Sequence, residues 1–251
     1  ILEFSYEAGI ALRSEPQSWA CKVAAVEKVS STVVRLDIAA DETEQGPPAF
    51  MPGQYVHLSI PGTHEQRSYS FANAPHQTDL YSFYIKVLEQ GVMSAYVGER
   101  AQPGDKITMT GPFGRFYLRG PERPILMVAG GTGLAPMLSM FDHMIETGAT
   151  SQPVHLLCGA NDPAELFCLD ELAAYADKGL TLTTEFAVVD GADGWDGTVG
   201  HVTQMLRSEL IGAGADIYLC GPPPMIEAGQ DWLKDQGIDE KLVHAEKFLP
   251  S

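Results

Sequence analysis

Hydrophobic and polar positions divide this chain into two halves with different periods. From Trp19 to about Leu118, short runs alternate apolar with polar residues: CKVAAVEKV, STVVRLDIA, QYVHLSI, RSYSFAN, SFYIKVLE and DKITMTG. Turns such as FMPGQ, IPGTHE and QPGD separate them. Period-two runs between Pro-Gly turns predict the strands of a small antiparallel β-barrel. One helix fits this half, SAYVGER at 94–100. From Ile125 onward, strand-like and helix-like runs alternate: ILMVA with APMLSMFDHMIETG, VHLLCG with AELFCLDELAAYAD, TLTTEFAVV with VTQMLRSEL, and DIYLCG with PMIEAGQDWLKDQG. That order predicts a doubly wound α/β domain whose parallel sheet binds ligands at the carboxyl ends of its strands. The boundary falls at RGPERP, 119–124, which gives a barrel over 17–118 and an α/β domain over 119–251, with 1–16 as a linker.

Four stretches carry candidate chemistry. In RSYSFAN, strand alternation sends Arg67, Tyr69 and Phe71 to one face and Ser68, Ser70 and Ala72 to the other. A cation beside an aromatic ring fits either an edge strand with a snorkelling arginine or a site for a planar, anionic ligand. GGTGLAP, Gly130 to Pro136, joins a strand to a helix. Its glycines admit a pyrophosphate to amide donors at the helix start, and Pro136 suits the first turn. The same glycines also serve a plain structural turn. QGVMSAYV, 90–97, repeats the theme with Gly91 to Ser94, as a second phosphate cradle or a simple helix start. CGPPPM, 220–225, ends a strand on the same edge as GGTG, with Cys220 as a buried thiol or a ligand contact.

Charge narrows the partners. Sixteen Lys and Arg against 33 Asp and Glu give a net charge of −17, which disfavours nucleic acid and anionic membrane. Residues 1–123 hold 11 bases and 14 acids, and 124–251 hold 5 and 19, so the halves stand at −3 and −14. The four cysteines, at 21, 158, 168 and 220, form no CxxC, and the seven histidines show no metal spacing. Free thiols in a reducing cytoplasm, no metal in this chain and a monomer are expected. No apolar run approaches about 18 residues, so neither a membrane span nor a secretory leader is expected.

In order and spacing, RSYS, GVMS, GPFG at 111–114, GGTGLAP, CGPPPM and a terminal EKF resemble the ferredoxin–NADP reductase superfamily over about 17–251. IPGT before RSYS, AN after it, DIYLCGPP and EKFLPS look closest to the reductase component of soluble methane monooxygenase. Reductases of aromatic-ring oxygenases and phenol hydroxylases, and free-standing ferredoxin or flavin reductases, are the alternatives. The resemblance implies an FAD-binding barrel followed by an NAD-binding domain. By analogy Arg67 meets the FAD phosphates with Ser68 beside it, Tyr69 packs on the isoalloxazine and Ser70 supports its N5. Gly91, Val92, Met93 and Ser94 bind the diphosphate, while Tyr84, Ile85 and Lys86 line the ribityl and adenine side. Gly130, Gly131, Thr132, Gly133 and Pro136 match the dinucleotide's pyrophosphate turn. Cys220, Gly221 and Pro222 match the nicotinamide contact, and Glu246 and Phe248 the terminal acid and the aromatic that covers the flavin.

The implied reaction is hydride transfer from NADH to FAD, followed by single-electron delivery to a [2Fe–2S] centre that feeds an oxygenase hydroxylase component. Such a cluster needs a C-x₄-C-x₂-C spacing that this chain lacks, so the [2Fe–2S] domain is expected upstream of the 1–16 stub or as a separate protein. NADH is expected over NADPH. Lys178 is the only Lys or Arg between Pro124 and Arg207, and Asn161 and Asp162 stand where a ribose hydroxyl is bound and a 2′-phosphate repelled.

Overall fold

The computed structural model describes residues 16–42, 46–120, 122–191, 194–212 and 214–248. The expected upstream stub lies outside the described residues except for Pro16.

The first half is a near-closed antiparallel barrel of β1 (Gln17–Lys28), β2 (Val33–Ala40), β3 (Tyr55–Ser59), β4 (Gln66–Ser70), β5 (Tyr81–Lys86) and β6 (Lys106–Phe113). Their order across the sheet is β4-β3-β6-β1-β2-β5. Alternation closes it: Trp19, Cys21 and Val23 of β1 point inward while their neighbours face solvent. Phe50 and Phe71 stack at 3.6 Å in the core, beside Tyr81 and Phe83. The predicted helix is present but starts two residues early, as α1 (Val92–Ala95) running into a π-helical turn, Tyr96–Arg100. Tyr96 helps to hold that turn, donating its hydroxyl to Asp105 Oδ2 at 2.9 Å.

The second half is a parallel sheet of β7 (Ile125–Gly130), β8 (Val154–Ala160), β9 (Leu182–Val188), β10 (Thr198–Val199), β11 (Asp216–Gly221) and β12 (Val243–Lys247). Around it lie α2 (Ala135–Glu146), α3 (Leu169–Asp177), α4 (Ser208–Ile211) and α5 (Pro223–Asp235). The order β10-β9-β8-β7-β11-β12 reverses direction between β7 and β11. That gap is the switch point, where a doubly wound sheet opens a crevice for ligands. GGTG leaves β7 and GPPPM leaves β11, so the two motifs flank it.

Two sequence expectations need correction. The helix expected from Ala164 begins only at Leu169, because 163–168 form a 3₁₀ turn and an extended strap that docks on the barrel. Ser31 N–H donates to Ala164 O at 2.9 Å, and the Phe167 ring lies 4.8 Å from that of Tyr84. Those tertiary contacts override a helical pattern. The helix expected over 202–210 is broken into a 3₁₀ turn, Val202–Met205, and the single turn α4. Of the terminal EKF, predicted as a motif without a structure, Glu246 and Lys247 end the edge strand β12 and Phe248 follows it.

The halves share one core. Val33, Ala72, Tyr84, Phe116 and Leu118 of the barrel pack in the same buried cluster as Met137, Phe141, Phe167 and Tyr218. Fully burying such a side chain contributes roughly 1.5–3 kcal/mol, enough to set the barrel and the sheet in a fixed relation. Ser139 Oγ donates to Asn73 O at 2.8 Å and Arg119 N–H to Tyr218 Oη at 2.8 Å, pinning the seam.

Candidate active site

A cleft of about 1170 Å³ runs along that seam, between β4, β5 and the Gly91–Ser94 turn on the barrel side and the ends of β7, β8, β11 and β12 on the other. Most predicted residues line it: Arg67, Ser68, Tyr69, Ser70, Tyr84, Lys86, Gly91, Met93 and Ser94 from the barrel, and Gly130, Gly131, Thr132, Asn161, Pro222, Glu246 and Phe248 from the α/β half.

All four residues of RSYS border the cleft, and among the described residues β4 is an edge strand of the barrel sheet, paired with β3. The stretch is thus an edge strand, as one reading expected, and it borders the cleft. Phe71, just past β4, is buried in the barrel core against which Tyr69 packs. Arg67 Nη2 lies 2.6 Å from Glu65 Oε2, and Nη1 donates to Gln66 O at 2.9 Å, so its cation is held beside the cleft. Tyr69 packs against the barrel core, and burial pushes its phenol well above the usual range.

Seven predicted residues do not line the cleft. Ile85 is 2% exposed in the barrel core, and Val92 packs against the same core. Gly133 and Pro136 are buried under the start of α2. Asp162 accepts from Ala164 N–H at 2.7 Å and caps the 3₁₀ turn instead. Cys220 and Gly221 complete the buried strand β11. The Cys220 thiol is packed in the core, and burial first, then Glu246, raises its pKa far above the ordinary value. Ser94 lines the cleft, but its hydroxyl is already engaged: it accepts from Leu88 N–H at 2.9 Å and donates to Lys86 O at 3.3 Å. It ties the turn to β5, and Gly91 N–H is spent on Leu88 O at 3.4 Å, so the donors the turn can offer are the amides that follow at the helix start.

The structure adds residues that sequence reasoning missed. Tyr55 and His57 of β3 line the cleft opposite RSYS, and Ser68 Oγ lies 3.0 Å from His57 Nδ1. The signal was in QYVHLS, whose alternate positions face the same edge. Glu165 also lines the cleft, with Lys86 Nζ at 3.3 Å from Oε2 and Asn161 donating both N–H and Nδ2 to that oxygen at 3.3 Å. The anion expected at Asp162 thus stands three residues later.

Polar atoms without partners mark where a ligand fits. Ser70 Oγ and Glu246 Oε2 are both buried with no hydrogen-bond partner among the described residues, and both residues line the cleft. Burial raises the Glu246 carboxyl from 4.5 to about 7. An unsatisfied buried polar atom costs roughly 1–3 kcal/mol, which a ligand with polar edges would recover. A flavin beside Tyr69 and a phosphate beside Arg67 suit these donors and acceptors.

Residues 20–117 match the oxidoreductase FAD-binding domain family and residues 127–231 the oxidoreductase NAD-binding domain family. The chain is 40% identical to the anthranilate 1,2-dioxygenase electron transfer component of Acinetobacter baylyi, across 99% of this chain and 72% of the relative. It belongs to the electron-transfer components of oxygenases. With the toluate 1,2-dioxygenase electron transfer component of Pseudomonas putida the identity is 36%, over 95% of this chain and 70% of that one. Among solved structures, the ferredoxin reductase of carbazole 1,9a-dioxygenase superposes with a TM-score of 0.82 at 27% identity, covering 93% of this chain and 70% of that one. These relatives favour the aromatic-ring oxygenase alternative over the methane monooxygenase component to which the sequence details pointed. This electron-transfer component is an FAD- and NAD-binding oxidoreductase with a ferredoxin reductase-like fold. Among the described residues no group of His, Cys, Asp and Glu could hold a metal ion, and no helix is long and apolar enough to cross a membrane.

Proposed function

We propose that this electron-transfer component takes electrons from NADH and passes them singly to a [2Fe–2S] centre that serves an aromatic-acid dioxygenase. The observation that carries the reading is the shared cleft, in which barrel residues of RSYS and α/β residues at the switch point border one space. Bound there, FAD would supply the conversion of a two-electron donor into single-electron steps. Arg67 and the amides of the Gly91–Ser94 turn would hold its phosphates, Tyr69 would pack on its ring system, and Ser70 Oγ would meet a ring nitrogen. Gly131, Thr132, Asn161 and Pro222 would hold the nicotinamide dinucleotide. Glu246, with a carboxyl poised near neutral pH, can keep or release a proton at Oε2. Phe248 shields that end of the cleft, its N–H anchored to Gly221 O at 2.8 Å.

NADH is preferred on electrostatic grounds. Glu165 and Asn161 would accept and donate to ribose hydroxyls, and a 2′-phosphate would meet the carboxylate. The four thiols are free, which suits a reducing cytoplasm. The [2Fe–2S] partner is either a domain of the same polypeptide or a separate ferredoxin, and the hydroxylase component lies beyond it. The test is an anaerobic titration of the FAD-loaded protein with NADH and, in parallel, NADPH, followed by mixing with a [2Fe–2S] ferredoxin. Bleaching of the flavin absorbance by NADH, and recovery on adding ferredoxin, is the expected result. No bleaching by NADH, or faster bleaching by NADPH at matched concentrations, overturns the assignment.

A further inference from the structure

The only carboxylate that the strap 163–168 offers, Glu165, is held from both sides of the cleft. From the barrel comes Lys86, whose Nζ lies 3.3 and 3.4 Å from its two oxygens. From the α/β half comes Asn161, whose N–H and side-chain amide both reach Oε2. Lys86 ends β5, and its carbonyl accepts the Ser94 hydroxyl, so the lysine is tied to the Gly91–Ser94 turn. A continuous chain of contacts therefore runs from Asn161 through Glu165 and Lys86 to Ser94.

We propose that Glu165 is a shared acceptor that couples the two nucleotide sites: a dinucleotide arriving at Asn161 releases Lys86 to the phosphates of FAD. This rests on the reading of the cleft given above. Three donors already crowd Oε2, and Lys86 spans both oxygens only at 3.3 and 3.4 Å, so a ribose hydroxyl that enters beside Asn161 and takes a place on the carboxylate loosens the lysine from both. The lysine is the one to leave. Asn161 N–H is fixed backbone, whereas Lys86 Nζ sits on a flexible, 35% exposed stem with long contacts that can swing into the cleft. Freed from its anion, Lys86 presents a full positive charge to the cleft. Coupling of this kind is reciprocal, so FAD also strengthens dinucleotide binding.

The experiment uses the whole chain stripped of FAD. FAD affinity is read from flavin fluorescence with and without saturating NAD⁺, which carries no hydride, and NAD⁺ occupancy is checked by equilibrium dialysis in every variant. Wild type is expected to bind FAD about fivefold more tightly with NAD⁺ present, the low end of typical couplings. Glu165→Gln should bind FAD that tightly without NAD⁺, and respond to it no further. Lys86→Gln should bind FAD more weakly and still take up NAD⁺, with no coupling between them. An unchanged wild-type affinity in NAD⁺, or a Lys86→Gln variant that keeps the wild-type response, overturns the coupling alone. Failure of FAD or NAD⁺ to bind wild type overturns the coupling together with the functional reading beneath it.

Discussion

Gly91 and Gly131 each open a helical turn on the same cleft, yet their surroundings are opposite. A β-carbon at Gly91 would stand 2.5 Å from Ser94 Oγ, whereas one at Gly131 would meet nothing within 4 Å. Gly91 has an ordinary extended backbone, and Gly131 sits at φ 54, in the left-handed region. The barrel turn needs its glycine for room, because Ser94 fills the space. The α/β turn needs Gly131 for its backbone shape, and keeps the space above it open to the cleft. Gly133 differs again, since a β-carbon there would overlap the Cys220 carbonyl. Its role is to let the start of α2 lie against β11. Three glycines that look alike in sequence thus serve packing, shape and element contact.

The sharpest break in that comparison is Gly133→Ala. The obstacle is backbone, which cannot swing aside, so the cost should reach the upper part of the overpacking range, about 3 kcal/mol. For a chain of this size that lowers Tm by roughly 6–12 °C. Gly131→Ala, by contrast, should cost only left-handed strain, roughly 1–2 kcal/mol. Thermal unfolding followed by circular dichroism ranks the two, and equal losses would sink the distinction.

Arg67→Ala tests the barrel side of the cleft. A charge-assisted contact to phosphate contributes roughly 1.5–3 kcal/mol, about ten- to a hundredfold in affinity. Glu65 already neutralises the arginine at 2.6 Å, so the loss should lie near tenfold. Retention of FAD by the variant through extensive dilution would show that Arg67 only braces β4.

A smaller effect separates room from shape. In Gly91→Ala the new methyl pushes Ser94 Oγ off Leu88 N–H, at a cost of roughly 1–2 kcal/mol. In a Ser94→Ala background the hydroxyl is gone and only the β-carbon of residue 94, at 3.1 Å, remains, so adding Gly91→Ala should cost clearly less than it does beside the serine. Additive losses in the double variant would mean that Gly91 is needed for something other than the serine. Gly131→Ala has no such rescue.

Strand-and-turn grammar made the barrel legible, since alternation in QYVHLSI or SFYIKVLE leaves one assignment once Pro-Gly turns bound it. The order of strands and helices likewise marked the switch point. What escaped were places where a distant contact overrules a local pattern. AELFCLDELAAYAD reads as one helix, but Phe167 and Cys168 bind Tyr84 across the seam, and the helix starts late. The site was legible as motifs and not as side-chain directions. Cys220 and Glu246 are register partners on neighbouring parallel strands, yet only the glutamate reaches the cleft. Glu165 escaped because the sequence offers Asp162 first, and only the cap formed by Asp162 shows that it is occupied.

The smallest expected effect contrasts Glu246 with the histidines. Burial raises its carboxyl from 4.5 to about 7, so the folded state holds a proton that the unfolded chain has released. A raised pKa means that the stabilisation is complete below about 4.5 and is lost as pH rises through about 7. His57, His143 and His244 act in the opposite sense, since burial lowers their pKa values and their contribution fades as pH falls. The Tm of wild type alone therefore mixes two slopes. Glu246→Gln removes one of them and leaves the histidines in place, so the informative quantity is the wild-type Tm minus that of the variant. It should decline between pH 4.5 and 7 and stay level on either side. The decline should be modest, because the cleft leaves Glu246 partly solvated and solvent screens the charge. A level difference across the whole window would mean that Glu246 is ionised in the folded protein, and would withdraw it as the proton-holding group of the cleft.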